Sequence, residues 1–580
     1  MVEHIDLAEY LFRRLTELGV RSIHGVPGDY NLSALDYLKP LGLHWVGNAN
    51  ELNAGYAADG YARIKGIAAL LTSFGVGELS ALNTIAGAYS EKAPVVHIVG
   101  TPLRAAQENK ACLHHSLGDG NLRVFADIYK SVTVAQANLI NPDTATAMID
   151  ATLRECILQS RPVYIELPTD MVKTKVPPPS SQIDLTIPGY DTTAEDAAVE
   201  TILERIRISK QPLILVDGFA ARFNAQKEIN DLIRKTSFPS LTTPFGKGLI
   251  DERLPNFHGM ALGLAGDELP QSWLSQCDLV LHFGPLKSDV NTFGYTALPN
   301  PEVTVTFEKY SVHFGDSGKL VHSISSQSLL GKLLKSSVTL QRLQPEPYPN
   351  NHSTPREALQ CLPESSGSSP LEQKEFWLRM SEFLRPEDII LTETGTSSHG
   401  GQSLVLPEKT TLINSSIWLS IGYTLAACQG AALAQREMVE AGQKAPGRTI
   451  LFEGDGSLQM TAQAISDIIK NKLDVIIFVV NNDGYTVERL IHGFYASYND
   501  IQPWRNLEAA SYFGARIGDA SYPVTTGRAS TWGELEAILN APTAQLGKGL
   551  TMIEVMMDIA DAPVSLKRTS EYVKRRNAGQ

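Results

Sequence analysis

Two polar turns carry side chains that could bind a cation and a phosphate. Asp455 stands in the segment GDGS (454–457), and Asn482 stands in NNDG (481–484). Carboxylate and amide oxygens are hard donors that suit Mg²⁺. Gly456 and Ser457 begin a predicted helix, whose first backbone N–H groups can bind a phosphate. The two turns predict a diphosphate held through a divalent cation, and the alternative is a pair of ordinary polar turns.

The elements around these turns form one predicted βαβ unit. Residues 449–452 are a short apolar strand, 457–470 have apolar residues at helical spacing, and 475–480 are an unbroken apolar run. Such a run is typical of a strand buried on both faces of a parallel sheet. Both turns should lie at the carboxyl edge of that sheet, where open α/β sheets bind ligands.

The two turns, in order with other segments along nearly the whole chain, resemble the signature of the thiamine diphosphate enzymes. The resemblance is strongest to the fungal pyruvate decarboxylases and to the related indolepyruvate and phenylpyruvate decarboxylases. The segments that carry it are HGVPGDYN (24–31), GNANELNAGYAADGYAR (47–63), LHHSLGDG (113–120), ETGTS (393–397), WLSIGYT (418–424), EGDGSLQMTAQ (453–463) and NNDGYTVERLIHG (481–493).

The resemblance implies a decarboxylase that uses thiamine diphosphate and Mg²⁺ to convert a 2-oxo acid, most readily pyruvate, into an aldehyde and CO₂. The implied metal ligands are Asp455, Asn482 and Gly484. The implied cofactor-binding residues are Glu51, Thr394, Thr396, Leu419, Ser420, Ile421, Gly456, Ser457 and Tyr485. Ile421 would lie beneath the bent cofactor, although its local sequence fits an ordinary core isoleucine equally well.

Five side chains are implied as catalytic: Glu51, Asp29, His114, His115 and Glu488. Glu51 would hydrogen-bond the pyrimidine ring, and partial burial would raise its pKa and help it share a proton. Without the resemblance, Glu51 would be interpreted as a carboxylate at a helix N-terminus. The other four would form a proton relay, because imidazoles and carboxyls exchange protons near neutral pH. An isolated His-His pair is more often a surface or capping feature.

The implied substrate contacts are Asp29, His115, Thr394 and Glu488, and several nearby positions depart from the family pattern. Leu419 replaces a usual glycine, Ser398-His399 replaces Ala-Phe, and Val487 replaces a common isoleucine. The cysteine pair that some yeast members carry in the middle domain is absent. Preference for larger 2-oxo acids therefore stays an alternative. The sequence also leaves open a carboligase, a class that lacks the adjacent histidine pair, and a non-catalytic paralogue.

Composition sets limits on the class of protein. The 580 residues include 43% hydrophobic and 19% charged residues, which is ordinary for a globular chain. The net charge of −13 argues against nucleic acid and anionic membranes as main partners. Five widely spaced cysteines form no CxxC motif and predict reduced thiols. The N-terminus is a predicted amphipathic helix and resembles no targeting peptide, no membrane span is expected, and the predicted location is the cytoplasm.

The fold class predicted is α/β, with three doubly wound parallel-sheet domains. Pro- and Ser-rich stretches at 177–196 and 341–370 separate them. Residues 1–180 should form an N-terminal pyrimidine-binding domain, 190–340 a middle domain, and 370–565 a C-terminal diphosphate- and Mg-binding domain. In the family that the chain resembles, Glu51 and Asp455 of one site come from different subunits, so a homodimer or homotetramer is implied.

Overall fold

Three large sheets, each flanked by helices, follow one another along the chain. The computed structural model describes residues 4–266, 268–336, 340, 346–349, 354–516 and 518–579. The predicted linker at 341–370 lies partly outside the described residues, at 341–345 and 350–353. The five cysteines are all free thiols. Among the described residues, no helix has both the length and the apolar character needed to cross a membrane.

The first sheet has six strands, all parallel, in the order β3-β2-β4-β5-β7-β6. Its helices are α1 (Leu7–Glu17), α2 (Leu32–Leu35), α3 (Glu51–Lys65), α4 (Val76–Ser90), α5 (Arg104–Glu108), α6 (Val124–Tyr129) and α7 (Pro142–Gln159). Its strands are β2 (Ser22–Gly25), β3 (His44–Trp45), β4 (Ala68–Ser73), β5 (Val95–Thr101), β6 (Gln136–Asn138) and β7 (Val163–Pro168), beside a small antiparallel pair of β1 (Ile5–Asp6) and β8 (Lys175–Val176).

The middle sheet has seven strands in the order β11-β10-β9-β12-β13-β14-β15. The strands are β9 (Pro212–Val216), β10 (Ser240–Thr242), β11 (Phe257–Met260), β12 (Leu279–Phe283), β13 (Thr304–Glu308), β14 (Ser311–Phe314) and β15 (Lys319–His322). The helices are α8 (Thr192–Ile208), α9 (Gln226–Thr236), α10 (Glu268–Ser275) and α11 (Ser326–Lys335). The short helix α12 (Pro355–Gln360) follows.

The third sheet has six parallel strands in the order β17-β16-β18-β19-β21-β20. The strands are β16 (Ile389–Thr392), β17 (Thr411–Ile413), β18 (Thr449–Gly454), β19 (Val475–Asn481), β20 (Val524–Ala529) and β21 (Leu550–Met556). The helices are α13 (Gln373–Met380), α14 (Thr396–Gly401), α15 (Tyr423–Glu440), α16 (Asp455–Thr461), α17 (Ala464–Lys470), α18 (Thr486–Ile491), α19 (Ala509–Tyr512), α20 (Trp532–Leu539), α21 (Pro542–Leu546) and α22 (Val564–Asn577).

The predicted α/β class is confirmed, but the middle sheet differs from the parallel sheet that was predicted for it. Its last three strands pair antiparallel, so this sheet is mixed. Only Lys309 and Tyr310 separate β13 from β14. Two residues can close a hairpin but cannot carry the long crossover that parallel pairing needs. The predicted helix over 457–470 is also interrupted, since α16 ends at Thr461 and α17 begins at Ala464.

The first and third sheets have the same topology. Numbered from the first strand of each sheet, both follow the spatial order 2-1-3-4-6-5. The carboxyl ends of the parallel strands therefore form equivalent edges in the two sheets. In the third sheet this edge carries the turns after β18 and β19, and in the first sheet it carries the turn after β2 that contains Asp29. The fold places both groups of predicted site residues at ligand-binding edges.

Helices α3 and α15 pack against each other and join the first sheet to the third. Two glycines let their backbones approach closely. A Cβ added at Gly60 would lie 2.1 Å from the Ala427 carbonyl oxygen, and one at Gly430 would lie 1.8 Å from that of Ala57. Any larger residue at either position would force the helices apart. This contact sets the orientation of α3, whose first residue is Glu51.

A buried ionic network lies at the same junction. Arg63 pairs with Asp59 at 2.7 Å and with Glu91 at 2.6 Å, and all three side chains are almost fully buried. Glu91 also accepts hydrogen bonds from the Ser415 hydroxyl at 2.6 Å and from the Ser416 backbone N–H at 2.9 Å. The network therefore fixes the segment that leads into residues 418–421.

Replacing Arg63 by methionine should destabilise the protein by about 3–5 kcal/mol, because two carboxylates would stay buried without their cation. Lys227→Met removes a surface ion pair to Asp231 and provides the control, with an expected loss below about 1 kcal/mol. Urea denaturation of both variants would measure the difference. Equal midpoints for the two variants would contradict a structural role for the network.

Candidate active site

The two polar turns of the third sheet are tied together by Asp455. Strands β18 and β19 are parallel neighbours, so the turns that follow them lie side by side. Asp455 is 4% exposed. Its carboxylate accepts hydrogen bonds from the backbone N–H of Gly456 at 2.9 Å and of Gly484 at 3.1 Å. Burial raises the pKa of this carboxyl to about 6, an effect that a bound cation would oppose.

Asn482 and Gly484 complete the predicted metal site. Asn482 is 3% exposed, and its amide donates a long 3.4 Å hydrogen bond to the Thr396 hydroxyl. Gly484 has φ +121°, and a Cβ there would lie 2.6 Å from the Asn499 carbonyl oxygen. Only glycine is compatible with both constraints. The donor set of one carboxylate, one amide and the nearby backbone suits a hard divalent cation.

A cavity of about 250 Å³ opens beside these turns. The predicted site residues that line it are Thr394, Thr396, Leu419, Ile421, Asp455, Gly456, Ser457, Asn482, Gly484, Tyr485 and Glu488. The buried hydroxyls of Thr394, Ser397 and Thr486, which also line it, have no hydrogen-bond partner among the described residues. Buried polar groups normally have partners, so these donors fit an acceptor-rich ligand such as a diphosphate.

Leu419 adopts the left-handed conformation, with φ +55°. A non-glycine residue is strained in that region, which gives a physical reason for the glycine usual at this position in the family that the chain resembles. Ile421 lines the cavity two residues later. Ser420 does not, because its hydroxyl accepts a hydrogen bond from Tyr56 at 2.7 Å on the other side of the segment. Leucine at position 419 keeps the backbone shape but adds side-chain bulk to the cavity.

A second group of predicted residues assembles in the first domain. His114 Nε2 lies 2.7 Å from Asp29 Oδ2, and the His114 ring stacks on Tyr30 with centroids 4.9 Å apart. The rings of His114 and His115 are 4.8 Å apart. Ligand atoms of Asp29, His114 and His115 all lie within 4.8 Å of one another. This spacing suits proton exchange along the cluster, and the three groups could also hold a metal ion.

Glu51 and Glu488 have carboxyl groups with raised pKa values, so they hold a proton more readily than ordinary carboxyls do. Glu51 is the first residue of α3, after the N-cap Asn50, and desolvation raises its pKa. Glu488 lies in the first turn of α18 at the cavity wall, and desolvation likewise raises its pKa while part of the side chain meets solvent. A raised carboxyl pKa brings protonation closer to neutral pH, where acid–base catalysis is most effective.

The two groups of site residues do not meet within one chain. The described residues that line the cavity come from the third domain and, at Pro244 and Val290, from the middle domain. Glu51, Asp29, His114 and His115 are not among them. A single chain therefore carries two separate groups of predicted site residues, each at the carboxyl edge of its own sheet.

Two fully buried carboxyls, to which the sequence analysis assigned no role, lie next to residues that line the cavity. Glu393 precedes Thr394, and Glu453 precedes the turn that contains Asp455. The Thr424 hydroxyl lies 2.7 Å from Glu393 and 3.1 Å from Glu453. Burial raises the pKa of both, and mutual repulsion adds to this for Glu453. Two such close carboxyls cannot easily both ionise, so we interpret them as a pair that retains a proton.

The C-terminal helix also contributes to the site, which sequence reasoning missed. Leu566, Thr569, Ser570 and Val573 of α22 line the cavity, together with His399 and Ile491. The amphipathic pattern of α22 indicates that one face of this helix packs against another part of the protein. Nothing in the sequence indicates which part.

Glu78 is another buried group that sequence reasoning missed. Its carboxyl is fully buried and accepts hydrogen bonds from the Gly75 N–H at 2.7 Å and the Tyr164 hydroxyl at 2.6 Å. Gly75 has φ +69°, and a Cβ there would lie 2.0 Å from the His115 carbonyl oxygen. Glu78 therefore holds the turn against which the histidine pair rests.

Replacing Glu78 by glutamine should change how stability depends on pH. Burial raises the pKa of Glu78 from 4.5 to about 7, so the folded protein binds this proton more tightly than the unfolded chain. The stabilisation is complete below pH 4.5 and is lost as the pH rises through about 7. Over this range the free energy of unfolding of the wild type should fall by about 3 kcal/mol relative to that of Glu78→Gln.

Denaturant unfolding of both proteins between pH 4.5 and 8 would measure this difference. Glu536→Gln, at an exposed position on α20, is the control and should follow the wild type at every pH. A constant offset between wild type and Glu78→Gln across the range would contradict the prediction.

Comparison with known proteins gives consistent matches along the chain. Three thiamine pyrophosphate (the same compound as thiamine diphosphate) enzyme models match: the N-terminal TPP binding domain at residues 5–120, the central domain at 199–327 and the C-terminal TPP binding domain at 393–549. The chain is 47% identical to pyruvate decarboxylase of Aspergillus parasiticus, with 99% of each chain covered. It is 39% identical to pyruvate decarboxylase isozyme 3 of Saccharomyces cerevisiae, with both chains fully covered.

Proposed function

Because the chain belongs to the thiamine pyrophosphate enzymes, as a member of the fungal pyruvate decarboxylase family, we propose that it decarboxylates a 2-oxo acid without oxidation. The proposed substrate is pyruvate, which gives acetaldehyde and CO₂, and the proposed metal is Mg²⁺. The observation that carries the proposal is the buried Asp455 carboxylate, which joins the two turns beside a cavity with unpartnered hydroxyls.

The third domain would bind the cofactor. Asp455, Asn482 and the turn at Gly484 would hold the cation, and the Thr394 hydroxyl and the α16 N-terminus would hold the diphosphate. When bound, thiamine diphosphate supplies the electron sink that accepts the electron pair released as CO₂ leaves. Leu419 and Ile421 would limit the position of the cofactor by their bulk.

The remaining side chains would handle protons. Glu51 would share a proton with the pyrimidine ring through its carboxyl oxygen, since its pKa is raised. Asp29 would orient His114 through the 2.7 Å contact, and Glu488 would face the substrate from the cavity wall. His115 Nδ1 is buried and has no partner among the described residues, so it would be available to a substrate atom. Together these groups would deliver the proton that completes the aldehyde.

A panel of 2-oxo acids would test the substrate assignment. The holoenzyme with Mg²⁺ should release aldehyde from pyruvate, measured by coupled aldehyde reduction. Val487 and His399 line the cavity at two positions that depart from the family pattern, so larger 2-oxo acids are the second candidate. A kcat/KM for pyruvate far below that for phenylpyruvate would overturn the pyruvate assignment. Acetolactate as the main product would point to a carboligase instead.

We further propose that the working unit is at least a homodimer, in which one subunit brings Glu51 and the histidine pair to the cavity of another. The two separate groups of predicted site residues in each chain, here called half-sites, support this arrangement. The cytoplasmic location stays a prediction.

Mixing two inactive variants tests the dimer. Glu51→Gln and Asp455→Asn each damage a different half-site. In an equal mixture about half of the dimers are mixed, and in each mixed dimer one of the two sites receives both intact halves. The mixture should therefore regain about a quarter of wild-type activity. Each variant alone, denatured and refolded in the same way, is the control. No recovery in verified mixed dimers would contradict sites shared between subunits.

A further inference from the structure

We propose that the active-site cavity accepts, besides pyruvate, 2-oxo acids whose side chain is an alkyl stem that ends in a hydroxyl group. His399 on α14 and Ser570 on α22 would bind that hydroxyl. Both residues line the cavity of about 250 Å³ that contains the predicted cofactor-binding turns. This inference rests on the proposed decarboxylation and adds a class of substrate to it.

Ser570 is a buried serine whose hydroxyl is unused. It is 2% exposed, and its Oγ has no hydrogen-bond partner among the described residues. A serine or threonine inside a helix can satisfy its hydroxyl by donating to the carbonyl oxygen four residues earlier. The neighbouring Thr569 does so, with its hydroxyl 2.8 Å from the Ser565 carbonyl oxygen. The Ser570 hydroxyl therefore stays available to a ligand in the cavity.

His399 has a second polar atom that is unused. Its Nδ1 is buried and has no partner among the residues that the structure describes. Burial lowers the pKa of His399 to about 4, so the ring is neutral at neutral pH. A neutral imidazole has one nitrogen that donates and one that accepts. Leaving such buried groups unpaired is costly, and a polar group of the substrate would satisfy both His399 and Ser570.

The charges of the cavity indicate that this polar group is neutral. None of the lining residues that the structure describes is Lys or Arg. A carboxylate or phosphate at the far end of the side chain would be buried there without a protein cation, which is costly. A hydroxyl group both donates and accepts, so it can pair with His399 and Ser570 together without adding charge.

Apolar side chains line the cavity on the helices that surround this polar pair. Helix α22 packs against both α14 and α18, and α18 carries Glu488, which would face the substrate in the proposed function. Val487 and Ile491 of α18 and Leu566 of α22 line the cavity. An alkyl stem would contact these apolar side chains, and its terminal hydroxyl would reach the polar pair.

Two substrates of nearly equal size test the assignment. 4-Hydroxy-2-oxobutanoate has a terminal hydroxyl where 2-oxopentanoate has a methyl group. The holoenzyme should have a kcat/KM at least about tenfold higher for the hydroxy acid, measured by CO₂ release, because the apolar analogue leaves both buried polar groups unpaired.

Substitutions of the polar pair should reduce this preference. Ser570→Ala and His399→Phe should each lower the ratio of the two kcat/KM values about three- to tenfold, the effect of losing one neutral hydrogen bond. Thr569→Val is the matched control, because it removes a hydroxyl that lines the same cavity but is already bonded within α22. This variant should keep the wild-type ratio.

Binding without turnover gives a second readout. Calorimetric titration of Glu51→Gln, loaded with cofactor and Mg²⁺, should show at least about tenfold tighter binding of 4-hydroxy-2-oxobutanoate than of 2-oxopentanoate. A crystal of the same variant with the hydroxy acid should contain its terminal oxygen about 3 Å from His399 Nδ1 and Ser570 Oγ.

Equal kcat/KM values for the two acids in the wild type would overturn the proposal, as would an unchanged ratio in both Ser570→Ala and His399→Phe. A terminal hydroxyl bound elsewhere in the crystal would also overturn it. Turnover of pyruvate with no preference between the two longer acids would contradict this inference alone. Absence of CO₂ release from all three acids would contradict the proposed function, and the titration would still test the hydroxyl site.

Discussion

Replacing Glu51 by glutamine should lower kcat by at least about 100-fold while the fold and the bound cofactor are retained. Glutamine keeps the size of the side chain and its position at the start of α3, but it cannot exchange a proton. The raised pKa of Glu51 indicates that desolvation prepares this carboxyl for proton sharing. Removing a positioned acid–base group typically costs 10²–10⁴-fold in rate, roughly the range expected here.

The alternative interpretation of Glu51 as a helix N-terminal carboxylate predicts a different result. Such a residue contributes about 0.3–1 kcal/mol to stability and nothing to turnover. Glu228→Gln, which removes a carboxylate from the first turn of α9, is the matched control. Steady-state kinetics and thermal unfolding of both variants would separate the two interpretations. Near-normal kcat in Glu51→Gln would rule out the catalytic role.

Replacing Asp455 by asparagine should weaken retention of thiamine diphosphate by at least about 100-fold. The substitution removes the one carboxylate of the predicted ligand set. Changing residues that only support metal ligands already lowers metal affinity or activity by roughly 10–100-fold, so the loss expected here is at least of that size. It also replaces one of the two carboxylate oxygens by an amide NH₂ group, so only one of the backbone N–H groups of Gly456 and Gly484 can keep its acceptor. Cofactor bound after gel filtration in the presence of Mg²⁺ would be measured by absorbance of the denatured eluate.

Asp483→Asn is the control for this experiment, because Asp483 lies in the same turn as Asn482 and is exposed. It should keep the cofactor and most of the activity. If Asp455→Asn retained cofactor as well as Asp483→Asn did, the metal site would have to lie elsewhere. Chelation of the wild-type protein should reproduce the Asp455→Asn result, and added Mg²⁺ should reverse it only in the wild type.

The third sheet shows which strands and helices the local spacing of apolar residues can predict. The apolar run at 475–480 became β19 (Val475–Asn481), since a strand buried on both faces needs continuous apolar side chains. The pattern over 457–470 was one predicted helix and became two, because apolar spacing does not detect a short break. The antiparallel end of the middle sheet was missed, although the two-residue spacing of β13 and β14 was a readable signal.

Buried polar groups were less accessible to sequence reasoning. Glu78, Glu393 and Glu453 are charged residue types in a chain whose acids mostly lie at the surface. Their burial depends on partners far along the chain, such as Tyr164 for Glu78, which is 86 residues away. A composition or periodicity argument assigns such residues to solvent, because it cannot represent a contact between distant segments.

The amino-acid sequence by itself determined the chemistry that the two turns offer and the order of strands and helices that presents it. Residue type decides which atoms can bind a cation or share a proton, and local spacing decides where strands end. Only the tertiary structure decided that Asp455 joins both turns, that α22 lines the cavity, and that Glu51 lies outside the cavity of its own chain. These relations follow from packing between separate segments, 29 residues apart for Asp455 and Gly484, and no local pattern contains such contacts.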